Sequence, residues 1–77
     1  MWCVVEAGTN GDIFKPEFFE SKDKAMEYID NDSKECYSTY SDLPDIQIKC
    51  CDEEMSAKVW TNEFSFRWQA FEVSHRF

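Results

Sequence analysis

The chain has 77 residues, with 16 acidic side chains against 8 basic ones and a formal net charge of -8. That length is expected to form one small domain spanning 1–77, and it excludes a fold built on a large cofactor or on two lobes closing over a substrate. With 43% hydrophobic and 17% aromatic residues it is too apolar for a disordered acidic tail, and seven Phe, three Trp and three Tyr beside Leu43 as the lone leucine favour strands over a helical bundle.

Trp2 to Ala7 reads as a strand that ends at Gly8-Thr9-Asn10-Gly11-Asp12. Asn10-Gly11 signals a hairpin, because both central positions of a type I′ turn take positive φ. The returning strand is expected over residues 13–19, with Pro16 at an edge or bulge because it has no N–H to donate. Residues 20–30 read as a helix capped by Ser21, with Asp23 in the first turn and Ala25, Met26 and Ile29 as its apolar stripe. Asn31-Asp32-Ser33 is expected to end it, since these side chains compete for backbone hydrogen bonds. A polar connection over 34–45 follows, holding Tyr37, Tyr40, Leu43 and Pro44.

Residues 45–50 alternate with Ile46, Ile48 and Cys50 on one face, and Asp52-Glu53-Glu54 forms a turn. In the next strand, 55–61, Met55, Ala57 and Val59 point inward. After a turn at Thr61-Asn62-Glu63, the residues Phe64, Phe66, Trp68 and Ala70 share one face of a last strand. The pattern then shifts to Phe71 and Val73, which predicts a bulge or a strand covered on both sides. The order ββαβββ predicts an α+β domain, a mostly antiparallel sheet of four to five strands with one helix packed on one face. Its expected core includes Val4, Phe14, Met26, Ile29, Ile46, Ile48, Val59, Phe66 and Trp68.

No catalytic signature emerges, so no enzyme and no cofactor are expected. His75 is the single histidine, and no Gly-rich phosphate loop is present. Asp30-Asn31-Asp32-Ser33-Lys34-Glu35 starts like a calcium loop but carries Lys34, Glu35 and Ser41 where that loop needs a ligand, a glycine and a glutamate. Cys3, Cys36, Cys50 and Cys51 lack a Cys-x-x-Cys pair, and adjacent cysteines on a strand face opposite ways; reduced thiols and no metal site are expected. The N-terminus lacks the features of a signal peptide and no apolar run reaches the length of a spanning helix, so a cytoplasmic protein with no membrane partner is expected.

Charge decides the expected partner. Residues 1–54 hold fourteen acids against five lysines, whereas residues 55–77 carry a slight positive excess. The scattered Lys and Arg predict no direct nucleic-acid binding. A basic protein surface, such as that of a nucleic-acid-binding protein, is the expected partner. The expected contact patch comprises Asp30, Asp32 and Glu35 at the helix end, Asp42 and Asp45 after it, and Asp52, Glu53 and Glu54 in the turn, with Tyr37 and Tyr40 as desolvated anchors. Trp60 and Phe71, opposite the main apolar stripe, form the alternative interface and the seam of a homodimer or other self-assembling structure. In size, acidity and lack of catalytic groups the chain resembles the small acidic inhibitors that phages and mobile elements encode, among them anti-restriction, anti-CRISPR and nucleic-acid-mimic proteins. This likeness is one of type and covers no motif.

Overall fold

Alternation along the strands sorts their side chains into two faces, and only one of these is apolar enough to need a cover. The computed structural model describes residues 1–9, 11, 13–14 and 16–73. Its elements are β1 (Trp2–Gly8), β2 (Glu17–Phe19), α1 (Lys22–Thr39), β3 (Gln47–Cys51), β4 (Ser56–Trp60) and β5 (Ser65–Glu72). The strands form one sheet in the order β2-β1-β5-β4-β3, with every neighbouring pair antiparallel. This is the expected α+β arrangement. The helix lies across the face that carries Val4, Ala57, Val59, Trp68 and Ala70, and it closes the core with Ala25 and Ile29.

The sequence places the start of the helix correctly. Ser21 is extended, and its hydroxyl accepts a bond from the Lys24 N–H. The end is different, because α1 runs on to Thr39 and absorbs half of the expected polar connection. Asn31-Asp32-Ser33 does not stop it. Ser33 is fully buried, its hydroxyl donating to the Asp30 carbonyl and lying 3.7 Å from the Cys50 sulfur. Asp32 is engaged by the sheet. Tertiary partners thus satisfy the very side chains whose local competition predicted a terminus. The helix stops at Tyr40, where the ring packs 4.9 Å from Phe64 and 6.0 Å from Phe66, measured between centroids.

Three further expectations are corrected. The returning strand is only three residues long, joined to an isolated bridge between Ala7 and Ile13, and Phe14 lies outside the core at 43% exposure. Pro16 stands just ahead of β2 in an edge position, where a missing donor is tolerated. At the other end, β5 continues without a bulge, its register with β1 unbroken from Trp2–Glu72 to Gly8–Phe66. Phe71 reaches the other face by ordinary alternation. Met26, Ile46, Ile48 and Phe66 are half-buried and pack against the core rather than forming its centre. His75 lies outside the described residues.

The connection between β3 and β4 is tight. Asp52 accepts the Met55 N–H through its carbonyl, and Met55 adopts φ +51° while its side chain is buried. A left-handed, β-carbon-bearing residue after a turn is the backbone of a short hairpin loop normally given to glycine. Here a buried thioether occupies that position.

Candidate functional site

The fold separates the expected acidic patch. Asp45 lies against the β4–β5 turn, where its Oδ2 accepts the Asn62 N–H at 3.0 Å, and Asp42 precedes it by three residues. Asp52, Glu53 and Glu54 sit in the β3–β4 turn at the opposite end of the strands, about 17 Å away along five residues of β3. Asp30, Asp32 and Glu35 belong to the helix interior, so none opposes a helix C-terminus as their sequence position suggested. Tyr37 packs against the core and Tyr40 against Phe64 and Phe66. Glu35, Asp42, Asp52, Glu53 and Glu54 are the exposed members of the set.

Asp32 belongs to a polar cluster between helix and sheet. Its Oδ2 accepts the Trp68 indole N–H at 2.8 Å, and Trp68 is the largest fully buried side chain. Glu6, paired with Trp68 across β1 and β5, joins the same cluster. Burial pushes the Glu6 carboxyl up from its ordinary 4.5 to about 7, helped by a shared hydrogen bond and the charge of Asp32, while the Trp68 indole works in the opposite direction. Burial, then the charges of Glu6 and Asp32, drives the Cys36 thiol up to about 11. Tyr28 is likewise raised, first by burial and then by Asp32, Glu17 and Glu6. A thiol held protonated is a poor nucleophile, and Asp32 is already occupied by an indole. The cluster ties the helix to Trp68 through Asp32, with Glu6 taking up a proton as pH falls through about 7.

Among the described residues, no helix lies over the opposite sheet face. Cross-strand pairing arranges its side chains in rows. Lys49 stands opposite Lys58, and Lys58 opposite Arg67, so three adjacent strands present a cation at the same level. Gln47, Trp60 and Ser65 form the row on one side; Cys51, Ser56, Gln69 and Val5 form the row on the other. Beyond that, Phe18 and Phe71 flank Cys3 on both neighbouring strands and bury it to 5%, while remaining 56% and 47% exposed themselves. Trp60 and Phe71 thus occupy the face that alternation assigned to them. The strand carboxylates Glu6, Glu17 and Glu72 all pair with helix-side residues, leaving this face without a strand acid.

A shallow concavity of about 330 Å³ sits on the basic row, lined by Lys49, Cys51, Glu54, Ser56, Lys58, Trp60 and Arg67. The Lys58 ammonium lies 5.0 Å from the centroid of the Trp60 ring, within cation–π distance. Gln69 is tied down, its amide donating to the Glu54 carbonyl at 2.8 Å. No family model, curated protein or solved structure matches this chain.

Sequence reasoning missed Lys49, Lys58 and Arg67 because they are scattered along the chain. Parity was the available signal. Each lies next to an inward residue, Ile48, Val59 and Phe66 respectively, so all three point outward once the two turns set the register of β3, β4 and β5. Among the described residues, no helix is long and apolar enough to cross a membrane.

Proposed function

We propose that this protein is a non-catalytic, cytoplasmic binding module that works by contact with another protein, and that the uncovered sheet face is its contact surface. The observation that carries this reading is the pairing of exposed Phe18 and Phe71 and half-buried Trp60 with the Lys49–Lys58–Arg67 row on a face that no element among the described residues covers. Aromatic and arginine side chains supply most hot-spot energy at protein interfaces, whereas in a monomer an uncovered aromatic face contributes little to stability. Self-pairing through this face is less well supported, because a twofold axis through the basic row would set cations against cations.

The exposed Asp52-Glu53-Glu54 turn favours a second reading, in which carboxylates occupy a basic, nucleic-acid-binding surface of a target in the manner of a small inhibitor. Site-specific photo-crosslinking separates the two. A benzophenone side chain at position 60 should give a hetero-adduct in the native host, and one at position 53 should not. Adducts from position 53 alone would overturn the open-face reading, and adducts only with a second copy would replace it with self-assembly.

A further inference from the structure

Three cations placed directly opposite one another across strands repel, and the Trp60 ring beside Lys58 offsets this only in part. A glutamate or threonine at any of these outward positions would pair more favourably with its neighbours. Such an arrangement becomes favourable when carboxylates are brought to it. Arg67 offers the forked guanidinium suited to a carboxylate, and Lys49 and Lys58 add point charges within about 10 Å, two strand spacings away at most.

The row has a direction as well as a charge. Glu54 lines the same concavity on the side of the β3–β4 turn and repels a second acid there. Four residues along β5 from Arg67, about 13 Å away, lies exposed Phe71, with Phe18 on the far side of Cys3. The face therefore runs from a cationic row beside Trp60 at one end to the Phe71–Phe18 pair at the other.

We propose, resting on the open-face reading above, that the occupant is an acidic amphipathic segment of a partner protein, its carboxylates on Lys49, Lys58 and Arg67 and an apolar side chain on Phe71 and Phe18. Charge complementarity favours a peptide over nucleic acid. The row is short, and beyond it the net charge of -8 repels a polyanion that continues past the row, whereas a peptide can place its acids on the row and turn apolar beyond it.

The test uses the full chain and four fluorescein-labelled probes: an extended peptide with an Asp/Glu cluster and a Phe at the Arg67-to-Phe71 spacing, the same peptide with the Phe replaced by Ser, the same peptide with every acid replaced by its amide, and a short oligothymidylate. Anisotropy at low and high salt reads affinity, and amide NMR shifts locate the contact. The acidic Phe-bearing peptide should bind tightest and weaken with salt. Its shifts should gather on Lys49, Lys58, Trp60 and Arg67. Lys58→Glu combined with Arg67→Glu should cost at least about tenfold in affinity; Phe71→Ser should erase the advantage of the Phe-bearing peptide over the Ser version. Equal binding of the amide peptide on this face would overturn the acidic partner while leaving the face as the contact surface. Tighter binding of oligothymidylate would overturn the peptide assignment. Shifts confined to the helix side would overturn both readings, and no binding by any peptide would overturn the inference alone, since crosslinks at position 60 report on the face independently.

Discussion

Glu6→Gln should stabilise this protein, and only above acidic pH. Glu6 sits under the helix beside Asp32 and Trp68, with its pKa held at about 7 in the folded state against 4.5 for the free side chain. Because the folded value is the higher one, the folded state binds the proton more tightly. The stabilisation this confers is complete below about pH 4.5 and is lost as pH rises through about 7. Each pH unit between the two values corresponds to about 1.36 kcal/mol, giving a ceiling of about 3.4 kcal/mol. Glu6 is only half-buried, and solvent screening brings this down to about 1–2 kcal/mol. Glutamine keeps the shape and an N–H donor for Asp32 but carries no charge. The variant and the parent should therefore unfold within about 0.5 kcal/mol of each other at pH 4. At pH 8 the variant should be ahead by about 1–2 kcal/mol, a shift of roughly 5–15 °C in Tm for a domain of this size. Urea titrations followed by tryptophan fluorescence at both pH values supply the measurement, and taking the difference cancels the other carboxylates. A gap of equal size at the two pH values, or a variant weaker at pH 8, would refute a protonated Glu6 in this cluster.

Trp68→Phe should cost about 1–3 kcal/mol in urea unfolding, because it leaves the half-buried Asp32 without its indole donor. Met55→Gly should be more stable than Met55→Ala by about 1 kcal/mol, since both lose the buried thioether but only glycine relaxes a φ of +51°; equal melting temperatures would show that the turn stores no strain. Lys58→Gln should raise stability by a few tenths of a kcal/mol at low salt, with the gain vanishing at high salt, as relief of like-charge pairing demands. Iodoacetamide at pH 8 followed by mass spectrometry should label exposed Cys50 first. Cys3, which is buried, and Cys36, whose thiol is held protonated to about 11, should react last.

The strand faces were legible in the sequence because period-2 alternation survives in β3, β4 and β5, whose turns fall where Asp52-Glu53-Glu54 and Thr61-Asn62-Glu63 place them. What was not legible depends on partners distant in the chain. The helix passes Asn31-Asp32-Ser33 because Trp68, thirty-six residues away, supplies the donor that Asp32 would otherwise seek locally. Phe14 resembles a core residue by its neighbours in sequence, but it sits between the Ala7–Ile13 bridge and the start of β2 at Glu17, bonded to β1 through its N–H while its side chain stays exposed. Proximity in the sequence groups the acids of the expected patch, but five residues of β3 hold its two turn-borne parts apart. The basic row required the opposite step, joining residues that proximity separates.

The first and last strands lie side by side at the middle of the sheet, paired over seven residues from Trp2 to Gly8, and the Val73 N–H meets the Met1 carbonyl at 2.8 Å. Neither half of the sheet can close without the other: β2 hangs on β1, β3 on β4, and only β5 joins the two pairs. Closing the β1–β5 ladder brings together residues about sixty positions apart, so loop-closure entropy must be overcome before the contacts that reward it exist. During synthesis β1 through β4 emerge with their apolar faces unmatched, and the sheet becomes continuous only once β5 is available. A ribosome-stalled chain ending before Ser65 should accordingly be protease-sensitive throughout, and one extended past Val73 should acquire protection in a single step.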